Sequence, residues 1–355
     1  MDVGLFCAYQ LPDTPPNVGF EWDMQVMRWI EEYGFAEAWF SEHFTVGYER
    51  WPSPELHVAA AARETSSIYL GTAANLVPYH NPVALAYRLM ALDHMTNGRL
   101  MVGFGSGAYT TDAQLFGTDI GEMNHELLSE GTEIIKAIWN AEGPLKIQGK
   151  YFSVDVPALE EDKVLGGFWR PFTPGGPRTA IAGFSPRSST LRAGGARGDI
   201  PMSICFSVEY LRGHWEVYEE GAREAGRTPD RRDWRVVRDV WVADTDEAAL
   251  ELALSEPLRQ TWDSWVIPHN INALRHMLGA DIDITAEFMA REGWIVGSPE
   301  TVIEQLREEH RLSGGFGTLL TYNHDFHADA EPYRRHLELL GTVVVPALKE
   351  LQTDS

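Results

Sequence analysis

The sequence predicts an α/β fold, a single (β/α)8 barrel spanning residues 1–355 and carrying two insertions. Three observations carry that expectation. β-rich runs alternate with helix-patterned stretches eight times over the 355 residues, and no linker or shift of composition divides them. The stretch from Ile68 to Asp119 reads strand, helix, strand, which implies parallel pairing through a right-handed crossover. Polar and small residues gather just after the strands of that stretch, at Asn75, His80, Asn81, Ser106, Tyr109, Thr110 and Asp112. The carboxyl ends of parallel strands are where such folds bind ligands. A doubly wound open sheet also satisfies the alternation and is the competing architecture.

The elements follow in order. Residues 2–8 read as the first strand, and a proline-bearing loop runs from Tyr9 to Val18. A helix spans about Glu21 to Tyr33, with Gly34 placed to end it. Phe35 to Ser41 is the second strand and delivers Glu42-His43. Ser53-Pro54-Glu55 supplies a cap candidate and a proline at the first helical position, opening an alanine-rich helix through Arg63. The third strand, Ile68 to Ala74, meets a turn built on Pro78 and Pro82. Val83, Leu85, Ala86, Leu89, Met90 and Leu92 then recur at three and four spacing, and Asn97-Gly98 stops that helix. Arg99 to Phe104 is the fourth strand, running into Gly103-Phe104-Gly105-Ser106-Gly107. A helix from Asn124 to Asn140 precedes the first insertion, about 141–177, with a hairpin around Gly149-Lys150. Loops of that length are usually functional. Arg178 to Gly183 is the fifth strand, followed by a Ser185-Pro186 helix start. Pro201 to Phe206 is the sixth strand, with a helix from Val208 to Ala225, and Trp234 to Ala243 is the seventh. The second insertion, about 244–292, mixes helical patches with several tryptophans. Ser298-Pro299-Glu300 caps a helix to about Leu312, Gly317 to Tyr322 is the eighth strand, and Glu331 to Leu351 closes the chain.

Composition narrows the function. At 44% hydrophobic and 23% charged residues the chain reads as an ordinary soluble protein. No apolar run approaches the roughly 18–20 residues of a membrane span, and the first residues lack the basic and apolar regions of a signal peptide. Cys7 and Cys205 sit in apolar runs without metal spacing and read as buried thiols, so a cytoplasmic location is expected. A formal charge of −23 argues against nucleic acid and anionic membrane as partners.

Several constellations could carry chemistry. Gly103-x-Gly105-x-x-Ala108 matches a relaxed dinucleotide fingerprint, but it follows the fourth strand where that motif belongs to the first unit. It reads either as a loop whose backbone approaches a flat ligand or as a tight loop without one. His43, at the end of the second strand, reads either as a proton-transfer group facing a barrel mouth or as a structural histidine, and His80 has the same two readings. Ser185-Pro186-Arg187-Ser188-Ser189-Thr190 joins hydroxyls, an arginine and helix N–H groups in a pattern that suits a phosphomonoester or plain capping. No paired carboxylates of glycosidase type, no metal signature and no nucleophile elbow are present, so no metal ligands are assigned. Tryptophans 51, 169, 241, 262, 265 and 294 read mostly as core, with a few able to wall an apolar pocket.

At these residues the chain resembles the bacterial luciferase-like, flavin-dependent monooxygenase superfamily. The resemblance rests on Gly34-Phe35-x-x-x-Trp39-x-x-Glu42-His43, Gly71-Thr72-Ala73-Ala74, His80-Asn81-Pro82, Leu92-Asp93, Asn97-Gly98-Arg99, Gly103-x-Gly105-x-Gly107 through Asp112, Phe116-Gly117-Thr118-Asp119 and Gly297-Ser298-Pro299-Glu300. Val77 to Pro82 and Trp294 to Val302 resemble the diketocamphane and limonene monooxygenase branch. The resemblance implies a luciferase-like (β/α)8 barrel, usually a homodimer, using reduced FMN (FMNH2) from a separate flavin reductase and molecular oxygen as co-substrate. In that family a flavin C4a-peroxide oxygenates the substrate, here expected to be a small apolar ketone, aldehyde or terpenoid; a ketone would undergo Baeyer–Villiger insertion.

Carried over, His43 matches the catalytic histidine, and Ala73-Ala74 the site of a non-proline cis peptide against the flavin. Asn75 and Ser106 are expected beside the cofactor, and Gly183, Ser185, Ser188 and Ser189 match the phosphate region. Gly105-Ser106 stands where luciferase has a reactive cysteine and a phosphate-binding arginine. That departure speaks against light emission and shifts phosphate binding towards Ser188, Ser189 and Arg187. Two alternatives are a deazaflavin-dependent oxidoreductase of the same superfamily and a non-catalytic flavin-binding protein.

Overall fold

The structure, a computed structural model, describes residues 1–158, 160, 162, 166 and 169–351. Twelve strands are described: β1 (Asp2–Cys7), β2 (Glu37–Phe40), β3 (Tyr69–Leu76), β4 (Leu100–Gly105), β5 (Leu145–Gln148), β6 (Ser153–Val156), β7 (Arg178–Gly183), β8 (Ile200–Ile204), β9 (Arg235–Arg238), β10 (Val240–Val242), β11 (Ile295–Gly297) and β12 (Thr318–Asn323). Eight of them close a barrel in the order β1-β12-β9-β8-β7-β4-β3-β2. Every barrel pairing is parallel, and β1 joins β12 in register from Asp2 against Thr318 to Cys7 against Asn323. That closure excludes the open sheet.

The helices between strands begin and end where local chemistry dictates. Asn81 caps the helix Pro82–Met95 by accepting from the Val83 and Ala84 N–H groups, with Pro82 in the first turn, where its missing N–H costs nothing. Ser298 caps Pro299–Ser313 in the same way through the Thr301 N–H. Ser53 behaves differently: its hydroxyl bonds the Glu55 carboxylate and makes no cap bond.

Side chains pack the lower part of the barrel interior. Phe6, Trp39, Met101, Met202, Val237, Leu320 and Tyr322 pack together there. Beneath them, at the first residues of β2 and β9, Glu37 pairs with Arg235 at 2.9 Å, both buried. Glu37 also accepts from the Trp39 indole N–H at 2.9 Å. Gly71 on β3 makes room for this ring, because a Cβ there would lie 2.2 Å from Trp39 Cε3. The larger core lies outside the barrel, between strands and helices.

Two departures from the expected elements bear on the site. The expected seventh strand splits at Asp239. β9 stays in the barrel, while β10 leaves it and pairs in parallel with β11 as a separate two-stranded sheet. Asp239 marks the exit: its carboxylate meets His324 at 3.1 Å and its carbonyl accepts from Ile295 N–H. The second insertion folds as helices, among them Glu256–Thr261, a π turn at Trp262–Val266 and Ile267–Leu278. In the first insertion, β5 and β6 form the expected hairpin, whose turn N–H groups at Lys150, Tyr151 and Phe152 bond the Glu130 carboxylate. Part of that excursion lies outside the described residues.

Candidate active site

A cavity of about 590 Å³ opens at the carboxyl ends of the barrel strands. Volumes of this order accommodate a cofactor or a drug-sized ligand. Its walls are mostly apolar: Phe6 and Tyr322 from below, Met202, Ile204 and Phe206 along one side, and Trp262, Val266, Leu274 and Met277 from the second insertion. The insertion presents positions 266, 269, 270, 273, 274 and 277, one face of a helix, to the cavity.

His43 lines this cavity and is held by a buried carboxylate. Its Nδ1 lies 3.1 Å from Asp112 Oδ2, and Asp112 is fully buried. The other oxygen, Oδ1, accepts from Phe44 N–H at 3.2 Å, Thr45 N–H at 2.8 Å and Thr45 Oγ1 at 2.5 Å. Burial pushes the Asp112 carboxyl up, but the bonds from His43 and Thr45 outweigh it and hold the carboxyl below its ordinary range. An ionised Asp112 can only accept, so Nδ1 carries the hydrogen and Nε2 is the atom free to act. The Tyr109 ring stands edge-on to the imidazole at 4.7 Å.

Glu42, one residue earlier, turns the opposite way. Its Oε2 accepts from Leu76 N–H at 2.8 Å and its Oε1 meets His80 Nε2 at 2.7 Å. Arg88 donates to His80 Nδ1 at 3.3 Å, which leaves Nε2 to carry the hydrogen towards Glu42. Burial raises the Glu42 carboxyl despite this partner. His80 therefore ties the end of β2 to the end of β3, outside the cavity.

On the neighbouring strands β3 and β4 lie Ala73 and Ala74, joined by a cis peptide, with Gly103, Gly105 and Ser106 beside them, all lining the cavity. A Cβ at Gly103 would meet Thr72 O at 2.3 Å, so only glycine lets β4 approach β3 this closely. Asn75 is placed differently from expectation. It is fully buried, does not line the cavity, and both its amide atoms are without a described partner.

The hydroxyl run after β7 also differs in detail. Ala182, Phe184 and Thr190 reach the cavity, whereas Gly183, Ser185, Ser188 and Ser189 do not. Ser188 is buried and caps the helix Ser189–Arg197, and its Oγ lies 2.7 Å from Thr190 Oγ1. Ser185 offers its carbonyl to His214. Arg187 pairs with Glu216 and Glu220 on the neighbouring helix and does not point into the cavity. Sequence reasoning missed Glu49, Tyr9, Tyr322 and the helical face of the insertion. Glu49 lies in a loop with no pattern around it, and the others acquire their place only from barrel closure.

Among the described residues no group of three or more His, Cys, Asp or Glu side chains converges as a metal site. No helix among them is long and apolar enough to cross a membrane. The fold and site define a (β/α)8-barrel protein with an apolar cavity, of a size for a small organic ligand, beside a histidine–aspartate pair.

Residues 1–314 match the family described as luciferase-like monooxygenase. The chain is 31% identical to 2,5-diketocamphane 1,2-monooxygenase 1 of Pseudomonas putida, covering 98% of this chain and 99% of that one. It is 30% identical to limonene 1,2-monooxygenase of Rhodococcus erythropolis, over 98% and 86%. Among solved structures it is similar to the oxygenating constituent of 3,6-diketocamphane monooxygenase from Pseudomonas putida, described as a type II Baeyer–Villiger monooxygenase in complex with FMN. The TM-score is 0.93 at 32% identity, with 98% of each chain covered. The chain belongs to the luciferase-like monooxygenase family, and its class is that of the flavin monooxygenases.

Proposed function

We propose that this chain is the oxygenating component of a two-component monooxygenase. It takes reduced FMN from a separate flavin reductase and inserts oxygen beside the carbonyl of a small apolar ketone. The observation that carries this reading is the combination, in one apolar cavity, of the His43–Asp112 pair with neighbouring strand ends whose residues are too small to obstruct a flat ring. The diketocamphane relatives support the ketone and the FMN.

The residues fit the cofactor. Ala73, Ala74, Gly103 and Gly105 leave space in the cavity lining, Ser106 and Thr190 offer hydroxyls there, and the Trp262 indole N–H, from the insertion, is buried without a partner among the described residues. Ser106 and Thr190, not Arg187, would meet the phosphate end. Bound reduced flavin supplies the electrons that activate dioxygen. The chain's own contribution is threefold. The apolar wall keeps water from the reacting atoms. The insertion helix holds the ketone in place. His43 takes or gives a proton at Nε2, with Asp112 fixing the ring.

The test is anaerobic titration with reduced FMN, followed by aerobic turnover with cyclic ketones, then aldehydes and terpenes. Saturable binding and a lactone product are expected. Binding of reduced deazaflavin alone, with oxygen-independent hydride transfer, would overturn the reading. So would FMN binding without product from any of these substrates.

A further inference from the structure

We propose that Glu49 is a positioning residue of this active site, which keeps a proton on His43 Nε2 while the second insertion is closed over the cavity. The inference rests on the reading that His43 faces the reacting centre. Glu49 follows β2 in a loop, is only 12% exposed, and stands on the cavity wall. Its two oxygens do different things. Oε1 accepts from the Tyr109 hydroxyl at 3.0 Å and from the Trp265 indole N–H at 3.1 Å, and Trp265 belongs to the second insertion. Among the described residues Oε2 accepts no hydrogen bond, and it lies 3.5 Å from His43 Nε2.

That last distance sets a carboxylate oxygen beside the ring nitrogen. Asp112 already holds the hydrogen on Nδ1. A neutral His43 would therefore turn the Nε2 lone pair towards a carboxylate oxygen, with two anions and no cation in the group. One proton between Nε2 and Oε2 turns the repulsion into attraction and leaves a single net negative charge among the three residues. The other titratable groups around this point do not compete for it. Tyr109 beside the ring, Tyr9 after β1 and Tyr322 on β12 are all held neutral by burial, with the Glu49 charge adding to the effect. Glu42 is engaged by His80 on the far side of the strand. His269 of the insertion bonds the Trp265 carbonyl through Nδ1 at 2.9 Å. The insertion thus grips Glu49 through Trp265, and Glu49 in turn faces the atom that handles the proton. Closure and proton are linked through one carboxylate.

The test needs neither flavin nor substrate, so it can fail independently of the proposed function. The full chain is labelled with 15N-histidine, the His43 ring signals are assigned with H43Q, and their titration is followed by NMR in the wild type, E49Q and W265F. Glutamine preserves the shape and can still accept from Tyr109 and Trp265, but it turns an amide donor towards Nε2. E49Q should lose the Nε2 proton at a pH lower by about one unit or more, a drop in proton affinity of about tenfold, or about 1.4 kcal/mol. W265F keeps the carboxylate and relieves it of one donor, so its His43 should hold the proton to the same or a higher pH. E49Q titrating with the wild type would refute the proposal and leave Glu49 as a latch for the insertion. An equal downward shift in both variants would refute it as well. Because W265F retains the charge, it remains informative if E49Q fails to fold.

Discussion

Replacing Asp112 by asparagine should strip the hydrogen from His43 Nδ1, and the geometry states why. Three donors converge on Oδ1: Phe44 N–H, Thr45 N–H and the Thr45 hydroxyl. An asparagine must keep its carbonyl oxygen there, since turning the amide would set its NH2 against all three. The NH2 then occupies the place of Oδ2 and points at His43 Nδ1, 3.1 Å away. Nδ1 becomes an acceptor and loses its hydrogen, the one ring hydrogen that remains sits on Nε2, and the ring can no longer hold a proton at both nitrogens. Loss of one positioned acid–base group lowers a rate by about 10²–10⁴-fold, so D112N should fall in that range while still binding reduced FMN. Stability should drop by about 1–3 kcal/mol, because hydrogen bonds to a charged acceptor become bonds to a neutral one. The pH dependence has a definite sign. The folded-state value of Asp112 is depressed, so its contribution is present above the ordinary carboxyl value and lost as pH falls through the folded one. D112N should lack that acid limb. The assays are the rate of product formation at saturating FMNH2, and urea unfolding across acidic pH. A rate within about twofold of wild type would refute the argument.

The remaining predictions concern the scaffold. G71A places a Cβ 2.2 Å from the fully buried Trp39 ring and should cost at least about 1–3 kcal/mol by urea denaturation. E37Q strips the partner charge from buried Arg235 and should cost about 3–5 kcal/mol, visible as a lowered Tm with the cavity's ligand affinity largely retained. His336 is buried and neutral, its value lowered to about 3 by burial and by nearby His324, so the unfolded chain takes up a proton that the native chain refuses. Native stability should therefore fall as pH drops from about 6.5 towards 3, by up to about 1.4 kcal/mol per unit. H336N, whose side-chain oxygen can still accept from Val242 N–H in place of Nδ1, should flatten that slope in pH-dependent unfolding.

Much of this molecule can be read along the chain because its signals are local. Proline and a capping residue announce the helix at Pro299, apolar spacing announces the one after Pro82, and short β-rich runs announce the barrel strands. Glu42-His43 at the end of a strand points to the barrel mouth, although the two side chains go to different partners, His80 and Asp112. What cannot be read is whatever depends on contacts across the sequence. The departure of β10 from the barrel is settled by Asp239 meeting His324, 85 positions away. The direction of Arg187 is settled by Glu216 and Glu220 on another helix. Glu49 acquires its meaning from Trp265, 216 positions on. In the hydroxyl run after β7, residue type is plain but orientation is not, and helix geometry turns Thr190 inward while Ser188 caps.

The Glu37–Arg235 pair and the Trp39 ring have a consequence for traffic. They stopper the barrel at the end opposite the cavity, which leaves the chamber a cul-de-sac with its mouth under the insertion helix. In a cul-de-sac guests queue: the one that sits deeper arrives first and departs last. On the proposed function, the order in which cofactor, substrate and product would come and go then follows from the plug at the bottom of the barrel.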